Sequence, residues 1–127
     1  LGDVYKRQLM ALEMAQRYNI VILLKGPKTF TIWPDGSILV NSSGTEALAT
    51  AGSGDVLTGL LAGLMAQKIM PEIAAAVGAY IHGVAGRIAA RTCGIQGTTA
   101  EDIADAIGPA IDTILNPRPA GAKNLSI

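Results

Sequence analysis

The sequence predicts an α/β fold, the carboxy-terminal portion of a layered domain that runs from a buried strand through a β-hairpin into three helices. Three observations carry this prediction. The run Ile20-Val21-Ile22-Leu23-Leu24 is continuously aliphatic, and a strand without polar alternation is one covered on both faces. Two short apolar segments flank Pro34-Asp35-Gly36-Ser37, where proline, aspartate and glycine suit successive positions of a turn. Beyond Gly54 the apolar residues recur at helical rather than alternating spacing. One strand and a hairpin cannot cover the apolar faces of three helices, so the chain reads as the second half of a larger domain.

Composition fits a single domain. The chain has 127 residues, half of them apolar but only 4% aromatic, so its core is aliphatic and alanine-rich. Its 15 glycines imply close backbone packing. Ten basic and ten acidic residues give zero net charge, which argues against a nucleic-acid partner. The single Cys93 rules out an internal disulfide and suits a reducing compartment. The apolar runs are interrupted before the roughly 20 residues that a membrane span needs. A cytoplasmic protein with no membrane partner is expected.

Leu1 to Gln8 match neither period, and the chain lacks an initiator methionine. Residues 1–8 are therefore expected to be non-native or mis-joined, residues 9–116 to form the domain, and residues 117–127 to be a flexible tail. Leu9, Leu12 and Ala15 with Glu13 and Gln16 predict a short helix ending near Asn19. The buried strand follows, and then the loop Lys25-Gly26-Pro27-Lys28-Thr29. Phe30–Trp33 and Ile38–Val40 make the hairpin. The stripe Leu57, Leu60, Leu61, Leu64, Met65 predicts an amphipathic helix. Pro71 opens the next, with Ile73, Val77, Tyr80, Ile81, Val84 and Ile88 as its apolar stripe. Thr98 and Glu101 fit a capping box for a last helix carrying Ile103, Ile107, Ile111 and Ile114, stopped at Asn116-Pro117.

The chemistry concentrates in Thr50-Ala51-Gly52-Ser53-Gly54-Asp55, a glycine-rich turn that runs straight into a helix. Backbone N–H groups at a helix start, with the helix dipole behind them, favour an anion, and glycine lets a phosphate come close. Asp55 is either an ordinary first-turn aspartate or the base that takes a proton from an attacking hydroxyl. Phosphoryl transfer needs such positioning more than covalent help. The Lys25–Thr29 loop is either a solvated turn or a ligand site, its place at the carboxyl end of a strand favouring the second. Lone His82 reads as a packed residue, Trp33 as hairpin packing, and Arg87, Arg91, Glu101 and Asp102 as solvated helix faces. Cys93 has no partner at metal-ligand spacing, and no metal ligand is assigned.

Leu24-Lys25-Gly26-Pro27-Lys28-Thr29, Pro34-Asp35-Gly36, Asn41, Ala49 to Gly59 and Tyr80-Ile81-His82-Gly83-Val84-Ala85-Gly86 together resemble the carboxy-terminal half of ADP-dependent NAD(P)H-hydrate dehydratases, of the ribokinase-like superfamily. The resemblance covers about residues 9–115. It implies a ribokinase-like three-layer fold and dehydration of hydrated NADH or NADPH, the ring hydroxyl being phosphorylated and then eliminated as phosphate. ADP (or ATP) is the implied co-substrate, with Mg2+ accompanying it, and the whole protein is expected to be a homo-oligomer. By position, Lys25, Gly26, Pro27, Lys28 and Thr29 would bind the AMP moiety, with Thr50, Gly52, Ser53 and Gly54 at its phosphate side. Asp55 would bind the hydrated cofactor and act as base. The sequence departs from the family pattern at Pro27, where alanine is usual, and in the loop Asn41 to Leu48. Pro27 has no N–H, so a backbone contact there falls to Gly26, Lys28 or Thr29. The family's upstream His-Pro-Gly-Glu segment has no counterpart here, and the chain alone is expected to be inactive. A ribokinase-like kinase of a vitamin precursor or sugar, or a nucleotide-binding module without catalysis, would share the Gly-Ser-Gly-Asp turn.

Overall fold

A computed structural model describes residues 2–118 of the chain. Its elements in order are helix α1 (Gly2–Tyr18), strands β1 (Ile22–Leu24), β2 (Thr29–Ile32) and β3 (Ile38–Asn41), a 3-10 turn at Glu46–Leu48, and helices α2 (Ser53–Ala66), α3 (Pro71–Cys93), α4 (Ala100–Asp105) and α5 (Ile107–Leu115). The strands form one antiparallel sheet in the order β1-β2-β3, with Leu23 opposite Thr31 and Thr31 opposite Leu39. Strand side chains alternate between faces. Ile22, Leu24, Phe30 and Ile32 therefore pack on Ala11, Leu12 and Ala15 of α1, while Asn41 faces α3 and donates from Nδ2 to the Ala79 carbonyl at 2.9 Å. Helix, sheet and helix make the three layers that the family resemblance implies.

Several local expectations are corrected. Helix α1 starts at Gly2 instead of Leu9. Asp3 to Arg7 are all exposed, so this part lacks the apolar stripe from which a helix is read. It closes at Asn19, whose φ of 51° is one that asparagine tolerates better than most residues, and Ile20 N–H bonds back to the Ala15 carbonyl. Strand β1 is only half-buried and stands at the edge of the sheet among the described residues; its aliphatic sequence is not covered on both faces there.

The hairpin turn forms where expected. Trp33 N–H bonds to Ser37 O at 2.9 Å, Asp35 Oδ1 accepts from Ser37 N–H at 2.8 Å, and Gly36 takes a φ of 95°. Trp33 does more than pack on the hairpin, because its indole N–H donates to the Glu72 carbonyl in the first turn of α3.

The last predicted helix is broken in two at Ala106. Pro109 has no N–H to give the Asp105 carbonyl, and its ring crowds that oxygen. The capping box is one residue later than Thr98 and Glu101: Thr99 and Asp102 exchange the side-chain and backbone bonds. Thr98 instead donates to the Gly94 carbonyl.

Helix α3 is the centre of the core. Its buried residues are Ala74, Ala75, Gly78, Ala79, Ile81, His82, Gly83, Ala85, Gly86 and Ala89. The larger residues expected to face inward, Ile73, Val77 and Tyr80, are 55%, 40% and 48% exposed. Val77 and Tyr80 adjoin exposed Leu39 and Val40 of β3 along a groove of 840 Å³. By length and composition α3 could cross a membrane, which the run-length argument did not pick out; in this fold 56% of its most apolar window is buried inside the protein. Of the tail expected at residues 117–127, the part from residue 119 lies outside the described residues.

Two stability predictions follow from the packing. Thr31 is fully buried and its hydroxyl has no hydrogen-bond partner among the described residues. Thr31→Val removes an unsatisfied polar group at little change in shape and should raise unfolding stability by about 1 kcal/mol in urea titrations. At Gly83 an added Cβ would collide with Ser43 Oγ and lie 2.9 Å from Gly44 N. Gly83→Ala should lower stability by roughly 1–3 kcal/mol, because backbone must move to admit the methyl.

Candidate active site at the start of helix α2

The turn before α2 depends on one backbone conformation. Gly52 is its cap, with φ 88° and ψ −10°, a left-handed geometry that disfavours any residue with a Cβ. A Cβ there would also come within 3.0 Å of Ala100 Cβ. The Gly52 carbonyl accepts from Asp55 and Val56 N–H at 3.1 Å, and Ser53 N–H is held by the Thr50 carbonyl at 3.2 Å. The Gly54 N–H has no partner among the described residues. That donor sits at the positive end of the helix dipole, the arrangement that receives an anion. Asp55, next in sequence, is exposed.

The strand-end loop reaches this turn. Lys25 Nζ lies 3.4 Å from the position a Cβ would take on Gly54, so an ammonium group stands beside the free N–H. Lys25, Gly26, Pro27 and Thr29 line a cleft of 1020 Å³ together with Thr45, Glu46, His82, Gly83 and Arg87. Lys28, Thr50, Gly52, Ser53, Gly54 and Asp55 are not part of that lining. Apart from Lys28, which is in neither, the predicted residues fall into two groups, the cleft and the turn; Lys25 joins them, and so does His82, which was not predicted as a site residue. Among the described residues no three His, Cys, Asp or Glu side chains are grouped to hold a metal ion.

Local sequence did not reveal what supports the site. Buried Ser43 donates its backbone N–H to Asn41 Oδ1 and its hydroxyl to the Tyr80 carbonyl. Arg87, expected on a solvated face, donates to the Ser42 carbonyl at 3.1 Å and borders the cleft. Asp102 is the capping residue of α4, not a free surface charge. His82 is packed as expected, 3% exposed, but its packing partner is Ser53, the first residue of α2. Its Nε2 lies 3.0 Å from the Ser53 carbonyl oxygen and 3.2 Å from Ser53 Oγ. A carbonyl only accepts, so Nε2 carries the proton. These bonds span 29 to 45 residues, and only the pairing of a lone polar residue with a small-residue helix face hinted at them.

Burial, and after it the Lys25 charge, push the His82 pKa below the usual histidine value, while the Ser53 carbonyl acts in the opposite direction. The unfolded chain therefore takes up a proton at a higher pH than the folded one. Stability from this group is complete above the unfolded value of about 6.5 and declines as pH falls below it. His82 is the sole histidine, so its imidazole proton resonances are unambiguous; an NMR titration should give a midpoint below about 6.5, and a midpoint at or above that value would contradict the buried, cation-flanked setting.

Comparison with known proteins identifies the family. The family described as NAD(P)H-hydrate dehydratase matches residues 2–109. The chain is 49% identical over 96 residues to the bifunctional NAD(P)H-hydrate repair enzyme Nnr of Moorella thermoacetica, covering 76% of this chain and 18% of that protein. It is 44% identical over 90 residues to the ADP-dependent (S)-NAD(P)H-hydrate dehydratase of Neisseria meningitidis, covering 70% of this chain and 30% of that one. Among solved structures it resembles the ADP/ATP-dependent NAD(P)H-hydrate dehydratase of Bacillus subtilis co-crystallised with ATP/Mg2+, with a TM-score of 0.78 and 30% identity over 85% of this chain and 40% of that one. The chain thus spans under half the length of each. The family match over most of the chain, these identities and the shared fold show that the chain belongs to the NAD(P)H-hydrate dehydratase family.

Proposed function

We propose that this chain forms the nucleotide-facing wall of an ADP-dependent (S)-NAD(P)H-hydrate dehydratase, a cytoplasmic enzyme that repairs hydrated NADH and NADPH. The observation that carries the reading is the Lys25 ammonium beside the unpartnered Gly54 N–H. Two separate segments thereby place a cation and a helix-start donor at one point, which suits the terminal phosphate of a nucleotide. Lys25, Gly26, Pro27, Lys28 and Thr29 take the AMP moiety, and Thr50, Gly52, Ser53 and Gly54 shape its phosphate side.

In this reading Asp55 accepts the proton of the substrate's ring hydroxyl while that oxygen attacks the terminal phosphorus of ADP. The bond from phosphorus to the bridging oxygen breaks and AMP leaves. The phosphorylated carbon then loses inorganic phosphate with its bonding electrons, a proton leaves the neighbouring carbon, and the ring double bond is restored. Because the described residues offer no cluster of metal ligands, Mg2+ would arrive on the nucleotide phosphates and no step is assigned to it here. The hydrated ring faces Asp55 from a wall that residues outside this chain would supply, and the chain alone would not turn over.

The test is the full-length protein supplied with (S)-NADH hydrate and ADP, followed by recovery of NADH absorbance. Turnover of a thiazole or pyrimidine alcohol in its place would overturn the reading in favour of a small-molecule kinase. Asp55→Asn should lower kcat by about 10²–10⁴-fold, the range for loss of a positioned base, while calorimetry shows ADP affinity within about threefold of the parent. Undiminished turnover would remove Asp55 from the base role.

A further inference from the structure

We propose that His82 is a positioning residue that aims the Gly54 N–H at the nucleotide phosphate by holding the other end of the same peptide group. The inference rests on the phosphate-site reading of the α2 start. The Ser53 carbonyl and the Gly54 N–H belong to one planar trans peptide, so they point in opposite directions and rotate together. His82 Nε2 grips the carbonyl end at 3.0 Å from the buried side. The amide end is the donor that has no partner among the described residues and has Lys25 Nζ near it.

Ser53 is already tied by its N–H to the Thr50 carbonyl and by its place in the first turn of α2, and His82 adds a restraint from outside the helix. The residue before Ser53, Gly52, is the most permissive residue type and sits at a left-handed φ. Gly54 on the other side is equally permissive. At a helix start flanked by glycines, an anchor from outside the helix narrows the direction of this peptide further. Helix α3 supplies that anchor because Gly83 and Gly86 allow the chain above to approach it closely, and because His82 is rigidly buried at 3% exposure between small neighbours. A hydrogen bond to the carbonyl also polarises the peptide and strengthens its N–H as a donor. The second bond, between Nε2 and Ser53 Oγ at 3.2 Å, holds the side chain of the same residue and leaves less freedom still.

The test compares His82→Gln, His82→Asn and His82→Leu in the full-length protein. Glutamine carries its amide N–H to about the place of Nε2, whereas asparagine stops short of it and leucine has no donor. Two readouts are taken, the affinity for ADP alone by calorimetry and kcat with hydrated NADH. The expected result is that His82→Gln stays within about threefold of the parent in both, while His82→Asn and His82→Leu lose at least tenfold per folded molecule at thermal midpoints close to that of the Gln variant. Equal values for Gln and Asn would overturn the proposal, as would a His82→Leu protein that folds and binds ADP normally. If leucine does not fold, the Gln-to-Asn comparison decides alone. The nitrogen and proton shifts of the Gly54 amide add a check independent of the reaction: they should move in His82→Asn and return in His82→Gln. Failure of the parent protein to turn over hydrated NADH would instead count against the dehydratase reading, leaving the ADP affinities and the Gly54 shifts to judge His82.

Discussion

Close approach between backbones on the small-residue face of α3 is the constraint that the rest of the structure depends on. Ten of its residues are buried, and all but Ile81 and His82 are alanine or glycine. That face accepts the loop after β3 at Gly83, where even a methyl group would strike Ser43, and Leu48 of the 3-10 turn at Gly86, where a Cβ would lie 2.8 Å from Leu48 Cγ. Interiors of this density tolerate little added volume. Because the loop and the turn are seated so low, the start of α2 comes within hydrogen-bond reach of His82. The geometry of the candidate site is set by what α3 lacks rather than by what it presents.

The electrostatics of the site follow from that burial. A histidine kept neutral can hold the inner side of the α2 start without adding a charge that would repel the lysine on its outer side. Lys25 then acts with the helix dipole, since both favour negative charge at the same place. Asp55 is exposed at the edge of this positive region. Of the two carboxylates closest in sequence to the cleft and turn, Glu46 borders the cleft and Asp55 follows the turn, so acid and cation are placed by different segments. Such separation lets each side be tuned by its own loop.

The parts of this fold that sequence made legible are those decided by local rules. Proline, aspartate and glycine specify the hairpin turn within four residues, Pro71 opens α3, and the Gly-Ser-Gly-Asp stretch announces a helix start with an anion-receiving end. Where local rules compete, reading failed. Both Thr98–Glu101 and Thr99–Asp102 have capping-box spacing, and only the packed chain selects the second. Pro109 breaks a helix whose apolar stripe runs through it without interruption. The stripe of α3 holds at Ile81, Val84 and Ile88, which belong to the core or pack on it, and fails at Ile73, Val77 and Tyr80, because closeness of packing here buries the small residues and leaves those three outside. Trp33, His82 and Arg87 found partners 39, 29 and 45 residues away, distances at which no periodicity carries information.

The cleft draws its lining from the loop after β1, the 3-10 turn and the middle of α3, segments far apart in the chain. A molecule seated there would bridge them, acting as a temporary cross-link between parts that otherwise share only packing. Its binding energy would then be linked to the folding equilibrium, since the assembled cleft exists only in the native state. Occupancy would slow the opening of the sheet away from α3, and the abundance of such a molecule would bear on how long the folded chain persists.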